Sequence, residues 1–149
     1  MRNTQRFAIV VTHTGGRRHP LDMRWLETEY QIDESDCMVL SDEGWRAVAE
    51  GDVTIWDALE RKLLVGFYVS HPQLIAVIGH SSGRKGSHAN DSGQEEVRRI
   101  VRRIRSLLLP AAVLGFWTDE SGSLLEILES PDCAKHERFE FAKKRESAA

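Results

Sequence analysis

The sequence predicts an α/β fold: a mostly parallel four-stranded sheet in the order 2-1-3-4, an antiparallel fifth strand at its edge, and helices on both faces. Three observations predict it. Two uninterrupted apolar runs, Phe7-Ala8-Ile9-Val10-Val11-Thr12-His13 and Leu74-Ile75-Ala76-Val77-Ile78-Gly79-His80, read as strands buried on both faces. Amphipathic helical segments alternate with the strands, as parallel sheets require. A short turn then joins the last two strands, which makes them an antiparallel hairpin.

The elements follow in order. After the first strand comes the turn Thr14-Gly15-Gly16-Arg17-Arg18-His19-Pro20. Pro20 suits the first turn of a helix, and Leu21, Trp25 and Leu26 give helical spacing as far as Tyr30. A second strand spans about Cys37 to Leu40, closed by Ser41-Asp42-Glu43-Gly44, and residues 45–52 read as an irregular or short helical connection. Ile55, Ala58, Leu59, Leu63, Gly66 and Phe67 mark a helix from about Thr54 to Ser70. It ends before Pro72, because the residue preceding proline avoids the helical region.

The third strand leads into a polar loop from His80 to Asp91. Ser92-x-x-Glu95 has the form of a capping box. Val97, Ile100, Val101, Ile104, Leu107 and Leu108 give the helix it opens an apolar face, and Pro110 stops it. Ala112 to Trp117 and Leu124 to Leu128 are the closing strands around the turn Asp119-Glu120-Ser121-Gly122. Residues 131–149 read as a surface helix or tail of a single domain spanning 1–149. Right-handed crossovers limit the strand orders, and the order 2-1-3-4-5 sets the first and third strands side by side.

Composition excludes several classes. The chain has 149 residues, 41% hydrophobic, with a net charge of −3. That length buries roughly 70% of the surface of the unfolded chain, and that charge gives no general attraction for nucleic acid. No apolar run approaches the roughly 18 residues that span a bilayer, and the N-terminus lacks the apolar stretch of a signal peptide. A cytoplasmic location with neither a nucleic-acid nor a membrane partner is expected. Cys37 and Cys133 form no C-x-x-C pair, so two reduced, packed thiols are expected.

His13 and His80 each stand at the carboxyl end of a buried strand. In open α/β sheets ligands bind outside those ends, where the strand order reverses. Neighbouring first and third strands would therefore bring both imidazoles to one crevice.

With these residues the chain resembles a β-class carbonic anhydrase, in particular its short, divergent prokaryotic branch, over most of residues 6–128. That family ends its first strand in C-x-D-x-R and its third in H-x-x-C; the two cysteines and the histidine bind zinc, and the Asp–Arg pair controls the fourth position. Here the first motif is His13-Thr14-Gly15-Gly16-Arg17 and the second is His80-Ser81-Ser82-Gly83. The resemblance thus implies His13 and His80 as metal ligands and Arg17 as the catalytic arginine. Gly15 stands where the gating aspartate belongs, and Gly83 where the second cysteine belongs. It also implies a homodimer with the site at its interface, for which Trp45 and Trp56 are the candidate contacts.

Carbon dioxide hydration needs three protein ligands on zinc and an open position for water. A third ligand would have to come from Asp42, Glu43, His88 or Asp91. Two histidines alone hold zinc weakly, so low occupancy or loss of the metal is expected. The glycine- and cation-rich segment around Ser82, Gly83 and Arg84 offers backbone N–H groups to an anion. The leading expectation is a degenerate family member that holds a small anion, such as bicarbonate or phosphate, at the former zinc cleft. The alternatives are an active zinc-dependent carbonic anhydrase with a rebuilt site, and a non-enzymatic structural or interaction dimer. Whether the chain is an enzyme stays open at this point.

Other prominent residues have simpler readings. Arg98, Arg99, Arg102, Arg103 and Arg105 fall opposite the apolar stripe of their helix, where solvated charge belongs. His19, His71 and His136 read as surface or capping histidines. The four tryptophans, Trp25 and Trp117 included, read mostly as core or interface anchors.

Overall fold

The computed structural model describes residues 5–13, 19–80, 87–118 and 124–127. Five strands, β1 (Phe7–His13), β2 (Glu34–Leu40), β3 (Leu74–His80), β4 (Ala112–Thr118) and β5 (Leu124–Ile127), form one sheet in the order β2-β1-β3-β4-β5. The first four are parallel, and β5 runs antiparallel to β4. Fold class and strand order are as the sequence predicts.

Alternation along the strands divides the core in two. Ile9, Val11, Ile75, Val77 and Val113 face α2 (Asp42–Glu50), α3 (Val53–Ser70) and α4 (Ser87–Arg105). Ala8, Val10, Ala76, Ile78, Leu114 and Phe116 face the opposite side, where α1 (His19–Glu29) contributes Leu26. There Trp25, Tyr30 and Phe116 pack at centroid separations of 5.4 to 5.7 Å, the offset and edge-on range that aromatic quadrupoles favour. All seven residues of β3 are buried, as expected of a strand flanked by strands and covered on both faces.

Several boundaries differ from the sequence reading. The polar turn after β2 is the start of a capped helix: Ser41 Oγ accepts from Gly44 N–H, and Gly51 closes α2 in the left-handed region at φ 95°. Asp52 then caps α3 through Ile55 N–H, so α2 and α3 meet across two residues. α3 ends at Ser70 as expected, with His71 leaving the helix in the left-handed region at φ 46°, whereas β2 starts three residues earlier than expected.

A further difference is the start of α4. Its backbone turns helical at Ser87, so Ser92 lies inside it and caps nothing. Glu95 instead faces forward along the helix, within 3.4 to 3.8 Å of Arg98, Arg99 and Arg102. At the other end α4 stops at Arg105, and Leu108, at φ 55°, is exposed rather than part of the apolar stripe.

Two packing expectations also change. Trp45 and Trp56 are 3% and 8% exposed within the protomer's own core, so neither offers a surface to a partner. Trp56 joins the inward stripe of α3 with Leu59 and Leu63, while Ala58 faces outward. Cys37 is exposed on β2 rather than packed.

The arginine run of α4 is not uniformly solvated either. Arg103 lies over the Trp56 ring at 4.9 Å and donates to Val48 O, and Arg105 donates twice to Val113 O. Among the described residues no helix is long and apolar enough to cross a membrane. Residues 131–149 and Cys133 lie outside the described residues.

Candidate functional site

The parallel register sets β1 and β3 side by side, with Thr12 opposite Ile78. His13 and His80 therefore emerge at adjacent strand ends, their ring centroids 5.5 Å apart and both nearly buried, at 5% and 4% exposure. This is the reversal point of the strand order, where the sequence placed them.

Both ring nitrogens of His13 are engaged. Its Nδ1 lies 2.8 Å from Asp42 Oδ1, and its Nε2 accepts the backbone N–H of His80 at 3.0 Å. An acceptor role at Nε2 leaves the proton on Nδ1, which donates it to the carboxylate. The Ser41 cap sets the direction of the first turn of α2 and so places Asp42. One turn further along the same helix, Trp45 covers the imidazole at a centroid distance of 4.7 Å. Glu43, the other acid of that turn, is exposed.

His80 carries the complementary tautomer. Thr12 Oγ1 donates its single hydrogen to Ile78 O at 2.8 Å. It must then accept from His80 Nε2, 3.0 Å away, so Nε2 bears the proton. Across the β3–β4 ladder His80 is opposite Thr118. Thr118 is 2% exposed, and its hydroxyl has no hydrogen-bond partner among the described residues. Thr12, His80 and Thr118 thus form a buried polar row over three adjacent strand ends.

A carboxylate on one nitrogen of a histidine is what a zinc-ligating imidazole ordinarily has as outer support. The Asp42–His13 pair has that form, but the nitrogen that would face the metal holds the His80 amide. A metal there would leave a buried N–H without an acceptor, at a cost of about 1–3 kcal/mol. The described residues also contain no group of three His, Cys, Asp or Glu side chains able to hold a metal ion. Among the described residues, this arrangement does not fit zinc.

Of the remaining sequence candidates, Arg17, Ser82, Gly83 and Arg84 lie outside the described residues, and the backbone of His88 and Asp91 forms the first turns of α4. Asp42 reaches the crevice as the partner of His13, not as a third ligand beside it. Sequence reasoning missed Thr12 and Thr118. Their signal was a hydroxyl residue in the last two positions of an apolar strand, where only the neighbouring strand's register reveals a role. No protein-family model matches the chain, and no curated protein matches it.

Proposed function

We propose that the chain is a β-carbonic-anhydrase-like protein whose former zinc cleft has become a hydrogen-bonded crevice for a small anion such as bicarbonate or phosphate. The observation that carries this reading is the double commitment of His13, to Asp42 on one side and to the His80 amide on the other. The site is organised to hold the imidazole fixed by both ring nitrogens, not to present its Nε2 lone pair. The strand order and the two histidines at the switch point support the family resemblance.

Anion binding draws on neutral donors and on charge. Among the described residues the buried Thr118 hydroxyl is a donor without a partner, and a buried hydroxyl in that state favours any ligand oxygen that can accept from it. Positive charge would come from Arg17 and Arg84, with the backbone around Ser82 and Gly83 adding N–H groups as such glycine-rich segments do.

The test is metal analysis of protein purified without a histidine tag, combined with NMR titration of bicarbonate and phosphate at millimolar concentration. Zinc far below one per chain, with saturable shifts at His80 and Thr118, is the expected result. Stoichiometric zinc with carbon dioxide hydration would replace this reading with an active carbonic anhydrase. Absence of both zinc and anion binding would leave a non-enzymatic structural or interaction protein.

A further inference from the structure

We infer that the groove between β2 and α3 is a docking surface for an amphipathic helix of another protein, one that carries an acid, then apolar residues a turn on, then a base a further turn on. This inference is independent of the anion reading.

α3 presents an apolar face to solvent. Val65, Tyr68 and Val69 are 64%, 72% and 78% exposed, and they stand at the i, i+3, i+4 spacing by which one helix packs on another. The opposite stripe, Trp56, Leu59 and Leu63, is already buried in the core. An exposed apolar patch with a polar rim marks an interaction site. Val65 and Val69 line, with Gly66 and Met38, a groove of about 460 Å3 that is rimmed by Arg61, Lys62 and Asp36.

The rim charges are ordered along the groove. A Cβ on Gly66 would stand 3.1 Å from Ile9 Cδ1 and 3.3 Å from Met38 Cε, so Gly66 lies over Met38. Just beyond the end of α3, Gln73 N–H donates to Phe7 O at the start of β1, so the helix runs antiparallel to β1 and β2. Val69 is therefore on the Asp36 side of Met38, and Arg61 and Lys62 are on the Leu40 side. Cations and acid stand at opposite ends of an apolar floor, roughly 10–12 Å apart along the helix axis. Among the described residues none of these three side chains is in an ion pair.

That order specifies the occupant. The groove is open along its length, whereas pockets for small molecules enclose most of the ligand. An open apolar trough beside a helix suits a second helix. Its acid belongs beside Arg61 and Lys62 and its base beside Asp36, which sets the partner parallel to α3. The same order suits the partner's own dipole, since acids are favoured towards a helix N-terminus and bases towards its C-terminus. An acid at i, apolar residues at i+3 and i+4 and a base at i+7 span about 10 Å and match the groove. Asp36 in the groove and the net charge of −3 are unsuited to an anionic lipid surface.

The probes are two fluorescein-labelled, alanine-based helical peptides, one with Glu, Leu, Leu and Lys at those positions and one with Glu and Lys exchanged. Fluorescence anisotropy with the full chain should show saturable binding of the first, about tenfold tighter than the second. Asp36→Lys/Arg61→Glu/Lys62→Glu should reverse the preference. Val65→Glu/Val69→Glu should abolish binding of both peptides with an unchanged circular dichroism spectrum. The inference is overturned by no saturable binding of either peptide, by equal affinity for the two, or by a preference that the charge exchange leaves in place. Binding that survives Val65→Glu/Val69→Glu also overturns it. So does wild-type binding to phosphatidylserine vesicles, or a wild-type dimer in sedimentation equilibrium, that Val65→Glu/Val69→Glu removes, because a lipid surface or a second copy would then be the occupant.

Discussion

The backbone N–H of His80 donates to Nε2 of His13 at 3.0 Å, so the main chain of one strand selects the tautomer of the side chain on the next. The choice then propagates: Nδ1 of His13 must serve Asp42, and the carboxylate is where a proton donor needs it.

Opposite tautomers on the two rings are the direct consequence. Long-range proton–nitrogen NMR should find His13 protonated on Nδ1 and His80 on Nε2 at a pH where both are neutral. The same tautomer on both rings would contradict the hydrogen bonds described above.

Two threonines at equivalent strand ends should respond in opposite ways to the same substitution. Thr12→Val removes the donor to Ile78 O and the acceptor of His80 Nε2, leaving buried polar atoms unmatched, and should cost about 1–3 kcal/mol in urea unfolding. Thr118→Val removes a buried hydroxyl that has no partner among the described residues. It should be neutral or stabilising by up to about 1 kcal/mol, while weakening anion binding.

Gly93→Ala separates propensity from packing. Alanine in an exposed helix position would gain about 1 kcal/mol over glycine. Here the added Cβ would overlap Trp117 Cη2 and stand 2.6 Å from Cζ3, and forcing a rigid indole aside in a packed core costs about 1–3 kcal/mol. Net destabilisation with an altered near-ultraviolet tryptophan signal is expected. A more stable variant would mean that Trp117 does not pack there.

The arginine run should divide by partner. Arg99→Ala and Arg102→Ala remove half-exposed charges facing Glu95 and should change stability by less than about 0.5 kcal/mol. Arg105→Ala strips both donors from Val113 O and should cost about 1–2 kcal/mol. Equal effects across the three would show that the run acts as one solvated face.

What the sequence made legible and what it hid follow from range. The runs around Val10 and Val77 announce buried strands because nothing but a doubly covered sheet accommodates them, and alternation with helices then leaves few orders. The ends of α4 were misread because Ser92 and Glu95 match a local capping pattern, while the residues that decide the matter are distant: Gly93 against Trp117, Glu95 against the arginines ahead of it. Trp45 looked like an interface anchor because its partner, His13, lies 32 positions away. The histidine pair was legible as a place and not as a chemistry. Its chemistry depends on a main-chain N–H, which no side-chain pattern records.

The central position of β3 bears on the lifetime of the crevice. Every residue of β3 is buried, and strands hydrogen-bond to it on both sides. Such segments exchange their amide hydrogens only through global opening, whereas loops open on their own. The His80 amide should be among the slowest in the chain to exchange with deuterium. The grip of that amide on His13 would then break only when the molecule itself comes apart.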